Sequence, residues 1–347
     1  MTSVPSVHST ALQQRILAAM RAVFPSATAD LHDFYAMMQY HLGWLDERFA
    51  PTSASGGKLL RPLLAVMACR VFGGRVEQAL PLAAGIQLVH DFSLLHDDIE
   101  DNSPTRRGRA TAWRIWGVPQ AINAGDGMFA LAHRAVYGLS DVGIPPERVL
   151  RILRDFEETI LRICEGQYLD MSAEGQLELS TTQYLRMIRG KTAMLASAST
   201  GLGAQVATDD AAQVAALWAF GEALGLAFQI QDDVLDIWGD PALTGKPFAA
   251  DLLQRKMSLP VIHGLSNASV EDRARFEALY RQPDLSRQEL ETLLAILECA
   301  GARAYAEALA HAEYERAMQA LERVAPVDQA ALDELRALAQ SLLQRVR

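Results

Sequence analysis

The sequence has few cysteines, and they lie far apart. Cys69, Cys164 and Cys299 form no C-x-x-C pair, so their spacing offers no zinc motif. A sparse, odd number of cysteines is typical of reduced thiols rather than of a disulfide framework. The opening segment MTSVPSVHSTALQQR has no basic stretch followed by an apolar run, so we expect no signal peptide. These absences together predict a cytoplasmic protein.

The chain also lacks an excess of positive charge. It has 32 Lys and Arg against 42 Asp and Glu, which gives a net charge of −10 at pH 7. A protein that binds nucleic acid by neutralising many phosphates usually carries a basic surface. We therefore expect no nucleic-acid partner, although a small anionic ligand would need only a local positive charge.

Long unbroken apolar runs are missing as well. A membrane-spanning helix needs about 18 or more consecutive apolar residues. The longest apolar segment here, roughly 79–95, is interrupted by Gln87, His90 and Asp91. This segment therefore predicts a buried helix, and we expect no membrane span.

Helix-forming residues dominate what is present. Half of the residues are apolar, and the alternating β-branched runs that indicate strands are nearly absent. The apolar spacing predicts helices along the whole chain, including long ones over about 77–99, 109–139, 181–205 and 209–237, with boundary errors of roughly 2–4 residues. No break in composition marks a linker, so we predict a single all-α domain spanning residues 1–347.

Two acidic clusters with the pattern D-D-x-x-D carry the main functional signal. They consist of Asp97, Asp98 and Asp101, and of Asp232, Asp233 and Asp236. Helical residues four apart are offset by about 40° and about 6 Å, so the carboxylates of each cluster share a face. Such carboxylates repel one another unless they are protonated or bridged by a cation. Magnesium binds through one or two carboxylates, waters and substrate phosphates, so we predict a magnesium–diphosphate site.

A loop rich in proline and glycine follows each cluster. Residues 102–108 follow the first and residues 239–247 follow the second, so each cluster should lie at the C-terminal end of a helix. The helix dipole disfavours negative charge there, which again calls for a cation. The alternative is a solvated acidic surface, but apolar residues precede both clusters. We expect the two clusters to face each other.

Basic residues supply the complement that diphosphates need. The candidates are Lys58, Arg61, Arg106, Arg107, Lys191, Lys246 and Lys256. Arginine binds phosphate oxygens through two parallel hydrogen bonds, and lysine acts as a point charge. Each alone would be read as a surface charge. Beside two metal-type clusters in an acidic protein, they favour binding of two diphosphates.

The sequence resembles the trans-prenyl diphosphate synthases, the head-to-tail polyprenyl synthetases. The matching segments are GGKLLRP (56–62), QLVHDFSLLHDDIEDNSPTRRGR (87–109), GQYLD (166–170), RGKTAML (189–195), FQIQDDVLDIWGDPALTGK (228–246) and DLLQRKMSLPV (251–261). They occur in the family's order and spacing. The resemblance implies an all-α helical bundle of the isoprenoid synthase type around a large central cavity, and a homodimer.

The resemblance also implies residue roles. Magnesium, three ions per active site, would be coordinated by Asp97, Asp101 and Asp232 with support from Asp98, Asp233 and Asp236. The allylic diphosphate would be held by Arg106, Lys191 and Lys246, and isopentenyl diphosphate by Lys58, Arg61, His90 and Arg107. Thr192 and Gln229 would line the reacting carbons, and Lys256 would contribute at the diphosphate end. His90 as a satisfied core histidine remains an equal alternative.

The implied reaction is ionisation of the allylic diphosphate (dimethylallyl, geranyl or farnesyl), attack by isopentenyl diphosphate and loss of a proton. Phe92 and Ser93, one turn before Asp97, would gauge the length of the growing chain. An aromatic residue followed by a small one, without an insertion in the DDIED cluster, is similar to twenty-carbon synthases. We therefore expect geranylgeranyl diphosphate, with farnesyl diphosphate or a longer product still open.

Three other functions are considered. A terpene cyclase shares the all-α fold, but cyclases usually replace the second D-D-x-x-D and need no second diphosphate site. A non-catalytic partner subunit tends to lose one or both clusters, and this chain keeps both. A purely structural helical protein has no use for the paired charges.

Overall fold

The computed structural model describes residues 7–52, 57–241, 247–282 and 284–344. Helices dominate it, which confirms the predicted all-α class. The helices of the first half are α1 (Val7–Val23), α2 (His32–His41), α3 (Leu60–Val71), α4 (Val76–Glu100), α5 (Ala112–Trp116), α6 (Val118–Tyr137) and α7 (Pro146–Ala173). A short 3₁₀ turn, Ala29–Leu31, precedes α2.

The helices of the second half are α8 (Thr181–Ile188), α9 (Met194–Ala207), α10 (Ala211–Trp238), α11 (Ala250–Leu253), α12 (Leu259–Asn267), α13 (Val270–Tyr280), α14 (Arg287–Cys299), α15 (Ala302–Glu322) and α16 (Gln329–Gln344). Several begin at serine caps. The Ser180 and Ser286 side chains each accept a backbone N–H three residues on, and Gln183 and Glu289 reciprocate. These reciprocal hydrogen bonds satisfy N–H groups that the first helical turn leaves unpaired.

Two long predicted helices are interrupted. The predicted helix over 109–139 is instead the hairpin strand β2 (Arg109–Ala110), α5 and α6. Gly117 separates α5 from α6 with a φ of +83°, a conformation that glycine adopts without strain. The predicted helix over 181–205 contains the π-helical segment Arg189–Ala193 between α8 and α9. Apolar periodicity did not reveal either break.

The chain divides into two compact units. The first comprises Met1–Glu157, Ser199–Val214 and Pro326–Leu332, and the second comprises Glu158–Ala198, Ala215–Ala325 and Asp333–Arg347. The prediction of a single domain stays a prediction.

In the first unit, α4 packs against α1, α3 and α6. Its core is built from large side chains with almost no exposure, among them Leu64, Leu82, Ile86, Leu88 and Met128. Small residues allow close contact with this helix: a Cβ on Gly85 of α4 would lie 3.0 Å from the Ala132 carbonyl oxygen of α6. Tight packing of this kind fixes α4, which carries the first acidic cluster, in one position.

In the second unit, α12 packs against α8, α14 and α15. Its apolar core includes Ile230 and Val234 of α10, together with Leu259, Phe276 and Leu297. Ile230 precedes the second acidic cluster and Val234 lies within it, so this core anchors the helix that presents the cluster.

One helix among the described residues, α10, is long and apolar enough to cross a membrane by length and composition. Half of its most apolar stretch is buried inside the protein, as in the core helices of many proteins. The predicted absence of a membrane span stays a prediction.

Candidate active site

The first acidic cluster lies where α4 ends. Asp97 and Asp98 belong to its last turn, and Asp101 caps it, with its backbone N–H 2.8 Å from the Asp97 carbonyl oxygen. The predicted position at a helix C-terminus is therefore confirmed for this cluster. Asp98 is only 2 % exposed, while Asp101 is exposed. One of the carboxylates is thus enclosed by protein and the others reach towards solvent.

Asp98 has one paired and one unpaired oxygen. Its Oδ1 accepts from Nε of Arg106 at 2.7 Å, whereas its Oδ2 is buried and has no hydrogen-bond partner among the described residues. Burial raises the pKa of Asp98, and Arg106 partly offsets this shift. A buried carboxylate oxygen without a donor suits a hard cation. The donor set at this helix end therefore fits magnesium.

A tight hairpin carries the two predicted arginines. Strands β1 (Thr105–Arg106) and β2 pair in antiparallel register, with Arg106 opposite Arg109. The two-residue tip, Arg107 and Gly108, has φ values of +51° and +74°. These are the positive values that a type I′ turn requires. The hairpin therefore carries Arg106 and Arg107 only a few residues after the first acidic cluster in the chain.

A buried polar cluster accompanies the hairpin in the first unit. Arg61 Nη1 lies 3.5 Å from His90 Nε2, and Gln87 Nε2 donates to Asp91 Oδ2 at 2.7 Å. The other Asp91 oxygen lies 3.7 Å from Arg107 Nη2. Burial lowers the pKa of Arg61 to about 10, lowers the pKa of His90, and raises the pKa of Asp91 to about 6. The structure thus brings together Arg61, His90 and Arg107 as predicted.

Two members of this region were missed by sequence reasoning. Asp91 was counted only as an interruption of an apolar run, although it is 1 % exposed. His41 is half-buried, its enclosed Nε2 has no hydrogen-bond partner among the described residues, and desolvation together with Arg106 and Arg107 lowers its pKa to about 3. A neutral imidazole in α2 gave no sequence signal. Lys58 is exposed and precedes α3 by two residues, and Arg61 lies in the first turn of that helix.

The second acidic cluster lies in the last two turns of α10, which confirms its predicted position at a helix C-terminus. Asp233 is 4 % exposed and accepts three hydrogen bonds. The donors are Gln229 Nε2 at 3.0 Å, the Leu259 backbone N–H at 3.1 Å, and the Tyr184 hydroxyl. Burial raises the pKa of Asp233 to about 6 against the opposing effect of Tyr184. This carboxylate is held rigidly by its neighbours.

Asp233 connects to two further predicted site residues. The Thr192 hydroxyl donates to Gln229 Oε1 at 3.0 Å, and Gln229 in turn donates to Asp233. Tyr184, at the other end of this chain of bonds, is 2 % exposed. Sequence reasoning placed Thr192, Gln229 and Asp233 in the site but missed Tyr184, because a tyrosine on an amphipathic helix is usually a core residue.

Lys191 lies in the π-helical segment and pairs with Asp170 of α7. A Cβ on Gly166 would lie 2.1 Å from the Lys191 backbone nitrogen, and one on Gly190 would lie 2.8 Å from the Arg162 carbonyl oxygen. The two segments therefore touch backbone to backbone through a pair of glycines. Short π-helical segments are frequent at functional sites, and this one aims Lys191 at Asp170.

Asp251 adds a carboxylate that the motif reading left unassigned. It lies in α11, it is 4 % exposed, and its pKa is raised to about 7 by burial and then by the charges of Asp233 and Asp236. Its backbone carbonyl accepts the N–H of Lys256 at 3.0 Å, and the exposed Lys256 follows it on a turn. Such mutual repulsion indicates a place where a cation would be stabilising.

Among the described residues, no group of three or more His, Cys, Asp or Glu side chains forms a ready-made metal cage. Magnesium does not need one, since it uses one or two carboxylates with waters and substrate phosphates. Lys246 lies outside the described residues. Whether the two clusters face each other also stays a prediction.

The predicted chain-length residues lie one turn before the first cluster. The Phe92 ring packs 4.9 Å from the His96 ring and 5.3 Å from the Phe129 ring. Ser93 donates its hydroxyl to the His90 carbonyl at 2.9 Å, which satisfies it within α4. Phe129 of α6 was not singled out from the sequence, and it extends the aromatic contact that Phe92 begins.

Comparison with known proteins identifies the family. The sequence pattern described as polyprenyl synthetase matches residues 43–297. The chain belongs to the polyprenyl synthetase family. This polyprenyl synthetase is 40% identical to the geranylgeranyl diphosphate synthase of Mycobacterium tuberculosis, over 96% of this chain and 95% of that protein. It is 36% identical to a (2E,6E)-farnesyl diphosphate synthase of the same organism, over 89% and 85%.

Solved structures agree. The geranylgeranyl pyrophosphate synthetase of Pyrococcus horikoshii superposes with a TM-score of 0.87 at 32% identity, covering 97% of each chain. The Corynebacterium glutamicum geranylgeranyl pyrophosphate synthase, solved with isoprenyl diphosphate and magnesium, gives 0.82 at 26% identity, covering 97% of this chain and 98% of that one. This polyprenyl synthetase is therefore a trans-prenyltransferase that condenses isopentenyl diphosphate with an allylic diphosphate. A terpene cyclase or a structural helical protein is disfavoured.

Proposed function

We propose that the product is geranylgeranyl diphosphate, made in the cytoplasm by a magnesium-dependent homodimer. The observation that carries the product length is the contact of the Phe92 and Phe129 rings one turn before the first acidic cluster. Two packed rings one helical turn below the diphosphate end would stop a hydrocarbon that grows past Ser93. The relative named geranylgeranyl diphosphate synthase supports the same length.

The aspartates of the two clusters are the proposed magnesium ligands. Asp97, Asp101 and Asp232 would coordinate, Asp98, Asp233 and Asp236 would support them, and we expect three ions per active site. When bound, magnesium neutralises charge that develops on the leaving diphosphate. The buried, unpaired Oδ2 of Asp98 and the repulsion around Asp251 support a cation at these carboxylates.

The basic side chains are the proposed diphosphate ligands. Arg106, Lys191 and Lys246 would hold the allylic diphosphate; Lys58, Arg61, His90 and Arg107 would hold isopentenyl diphosphate; Lys256 would assist. Fixed cations aimed at a leaving group stabilise its charge without reorganising at the moment of reaction. His90 is held neutral by burial, so it would donate a hydrogen bond rather than act as a charge.

The condensation itself needs few reactive side chains. Thr192 and Gln229, fixed through Asp233, would present hydroxyl and amide dipoles to the developing allylic cation. Isopentenyl diphosphate then attacks, and the released diphosphate takes the proton. Holding both substrates in line supplies much of the rate enhancement in such two-substrate reactions.

The homodimer is supported by apolar side chains that α6 and α7 leave exposed. On α6, Val118, Ile122 and Tyr137 are 39–57% exposed, and on α7, Leu161, Tyr168 and Met171 are 45–70% exposed. Each set recurs at intervals that keep it on one helix face. A two-fold partner would bury such faces. Size-exclusion chromatography with light scattering should give twice the chain mass.

The decisive test is product length. Purified protein, magnesium and isopentenyl diphosphate would be incubated separately with dimethylallyl, geranyl and farnesyl diphosphate, and dephosphorylated products would be separated by chromatography. All three primers should converge on the twenty-carbon product. Mainly fifteen-carbon product would instead favour the second candidate, farnesyl diphosphate synthesis, which the farnesyl-named relative supports. Cyclised hydrocarbons would overturn both.

A further inference from the structure

The tip of the arginine hairpin is held in a conformation that its sequence does not favour. Arg107 has a φ of +51°, a region that residues other than glycine, asparagine and aspartate seldom occupy. A strained backbone of this kind persists only where surrounding contacts determine it. The hairpin has two residues in each strand, which is too few to be stable by themselves. Contacts from elsewhere in the first unit must therefore hold it.

Arg109 supplies the strongest of these contacts. Its Nη1 donates to the Tyr40 carbonyl at 3.0 Å, and its Nη2 donates to the Leu45 carbonyl at 2.7 Å. The guanidinium carbon lies 3.9 Å from the centroid of the Tyr40 ring, within cation–π range. Both Nη atoms and the face of the guanidinium thus attach β2 to the last turn of α2 and to the segment that follows it.

Tyr40 attaches the same hairpin from the other direction. Its side chain is 5 % exposed, and its hydroxyl donates to the Ala110 carbonyl at 2.7 Å. The ring also packs edge-on against Trp116, at 5.0 Å between centroids. The Tyr40 backbone carbonyl therefore accepts a hydrogen bond from Arg109, and the Tyr40 hydroxyl donates one to the carbonyl of Ala110, the next residue in β2. The two residues lock together as a reciprocal clamp on β2.

This clamp bears on the two arginines that matter for substrate. Arg106 is opposite Arg109 in the ladder, and Arg107 is two residues away. Arg106 also pairs with Asp98 at 2.7 Å, and Arg107 lies 3.7 Å from Asp91. Both side chains extend from the short strand and tip that the clamp attaches to α2, so the clamp fixes the backbone positions from which Arg106 and Arg107 reach out.

We propose that Arg109 and Tyr40 are positioning residues that aim Arg106 and Arg107 at a diphosphate. This inference rests on the proposed function of those two arginines. Arg109 would not itself contact the substrate, since both of its Nη atoms donate hydrogen bonds to backbone carbonyls. Its effect is to keep the tip in the positive-φ conformation that a released hairpin would leave.

The test compares R109A, R109K and Y40F in the full-length protein. Arg106 keeps its ion pair with Asp98 in these variants. Displacing Arg107 weakens binding of isopentenyl diphosphate in the ground and transition states alike, which raises KM for that substrate with little change in kcat. We expect R109A to raise KM for isopentenyl diphosphate about tenfold and to change kcat less than about threefold, because two hydrogen bonds from a charged group are lost. R109K should be intermediate, since an ammonium group cannot fork across two carbonyls. Y40F keeps the ring and should shift KM in the same direction.

R114A is the matched control. Arg114 lies five residues further on, in α5, with an exposed side chain, and its loss should leave KM and kcat unchanged. Thermal melting of each variant reports the structural contribution. An R109A enzyme with wild-type KM, a kcat loss without a KM change, or an equal effect in R114A would each overturn the proposal. If R109A does not fold, Y40F and R109K decide by the same criterion.

Calorimetric titration with inorganic diphosphate and magnesium separates this proposal from the proposed function. The wild-type protein should bind the probe, and R109A should bind it about tenfold more weakly. Weakened binding in R109A supports the clamp even if the wild-type enzyme makes no prenyl product, in which case the proposed function fails alone. Equal binding by both proteins overturns the clamp whatever the enzyme makes.

Discussion

Gly166 provides the sharpest test of how the second unit presents its lysine. It lies inside α7, where glycine ordinarily destabilises a helix by about 0.5–1 kcal/mol relative to alanine. A Cβ at this position would lie 2.1 Å from the Lys191 backbone nitrogen and 2.6 Å from the Gly190 carbonyl carbon. The obstacle is backbone on both counts, so no side-chain rotation can relieve it. Gly166→Ala must therefore push the π-helical segment away.

The size of the displacement follows from the same distances. Ordinary contact begins at 3.4 Å, so the Lys191 backbone must retreat by about 1.3 Å. A misplacement of about 1 Å in a positioning group can lower activity about 100-fold. Stability should suffer less, because overpacking costs about 1–3 kcal/mol while the better helix propensity of alanine returns part of it. We expect kcat/KM to fall about 100-fold and the melting temperature to fall by only a few degrees.

Steady-state kinetics with geranyl diphosphate and isopentenyl diphosphate, together with thermal melting, checks this prediction. Gly175→Ala is the matched control in the same unit. Gly175 has a φ of +72° and open space around it, so alanine there adds backbone strain of about 1 kcal/mol without moving a neighbour. The control should lose stability and retain activity. Wild-type kinetics in Gly166→Ala would refute the claim that close backbone contact sets the position of Lys191.

Three further predictions concern other parts of the site. Tyr184→Phe should lower kcat about tenfold and raise the magnesium concentration needed for half-maximal rate, because Asp233 loses a buried hydrogen-bond donor. Titrating the rate with magnesium measures this effect, and an unchanged magnesium requirement would contradict the prediction. Ser197→Ala is the control, since it loses a buried hydroxyl hydrogen bond to the Trp218 carbonyl. Phe92→Ala should lengthen the product by at least one five-carbon unit; chromatography showing an unchanged distribution would remove Phe92 from the gauge. Chelation with EDTA should abolish turnover and added magnesium should restore it, whereas activity in excess chelator would exclude a metal requirement.

The sequence was sufficient to predict the fold class and the positions of the acidic clusters at helix ends. Apolar periodicity defined α4 and α10, and the Pro- and Gly-rich loops after them correctly indicated that both clusters lie at helix ends. Three predicted residues, Thr192, Gln229 and Asp233, proved to be joined by hydrogen bonds. Thr192 and Gln229 came from the family resemblance, whereas the positions of the acidic clusters came from helix geometry, which converts residue spacing directly into position in space.

Contacts between distant segments could not be predicted in the same way. The π-helical turn at Lys191 packs closely against Gly166, and the sequence positions of Gly166 and Gly190 do not reveal this contact. Asp251 stands apart from both D-D-x-x-D patterns, and its raised pKa arises from burial beside carboxylates on another helix. The second hairpin strand, β2, lay inside the helix predicted over 109–139, because the turn before it depends on Arg107 adopting a positive φ. Tertiary contacts decide each of these features.

The ion pairs within the protein bear on how the site tolerates its own charge. Arg106 is paired with Asp98, and Lys191 is paired with Asp170, so these cations have carboxylate partners within the protein. The carboxylates are still not fully compensated, since burial raises the pKa values of Asp98 and Asp233. A divalent cation at the clusters would lower those pKa values and weaken the hold of the carboxylates on Arg106. Diphosphate would then replace the carboxylates as the partner of these cations, and the metal would replace the cations as the partner of the carboxylates. The protein therefore never holds isolated buried charges, whose desolvation is far more costly.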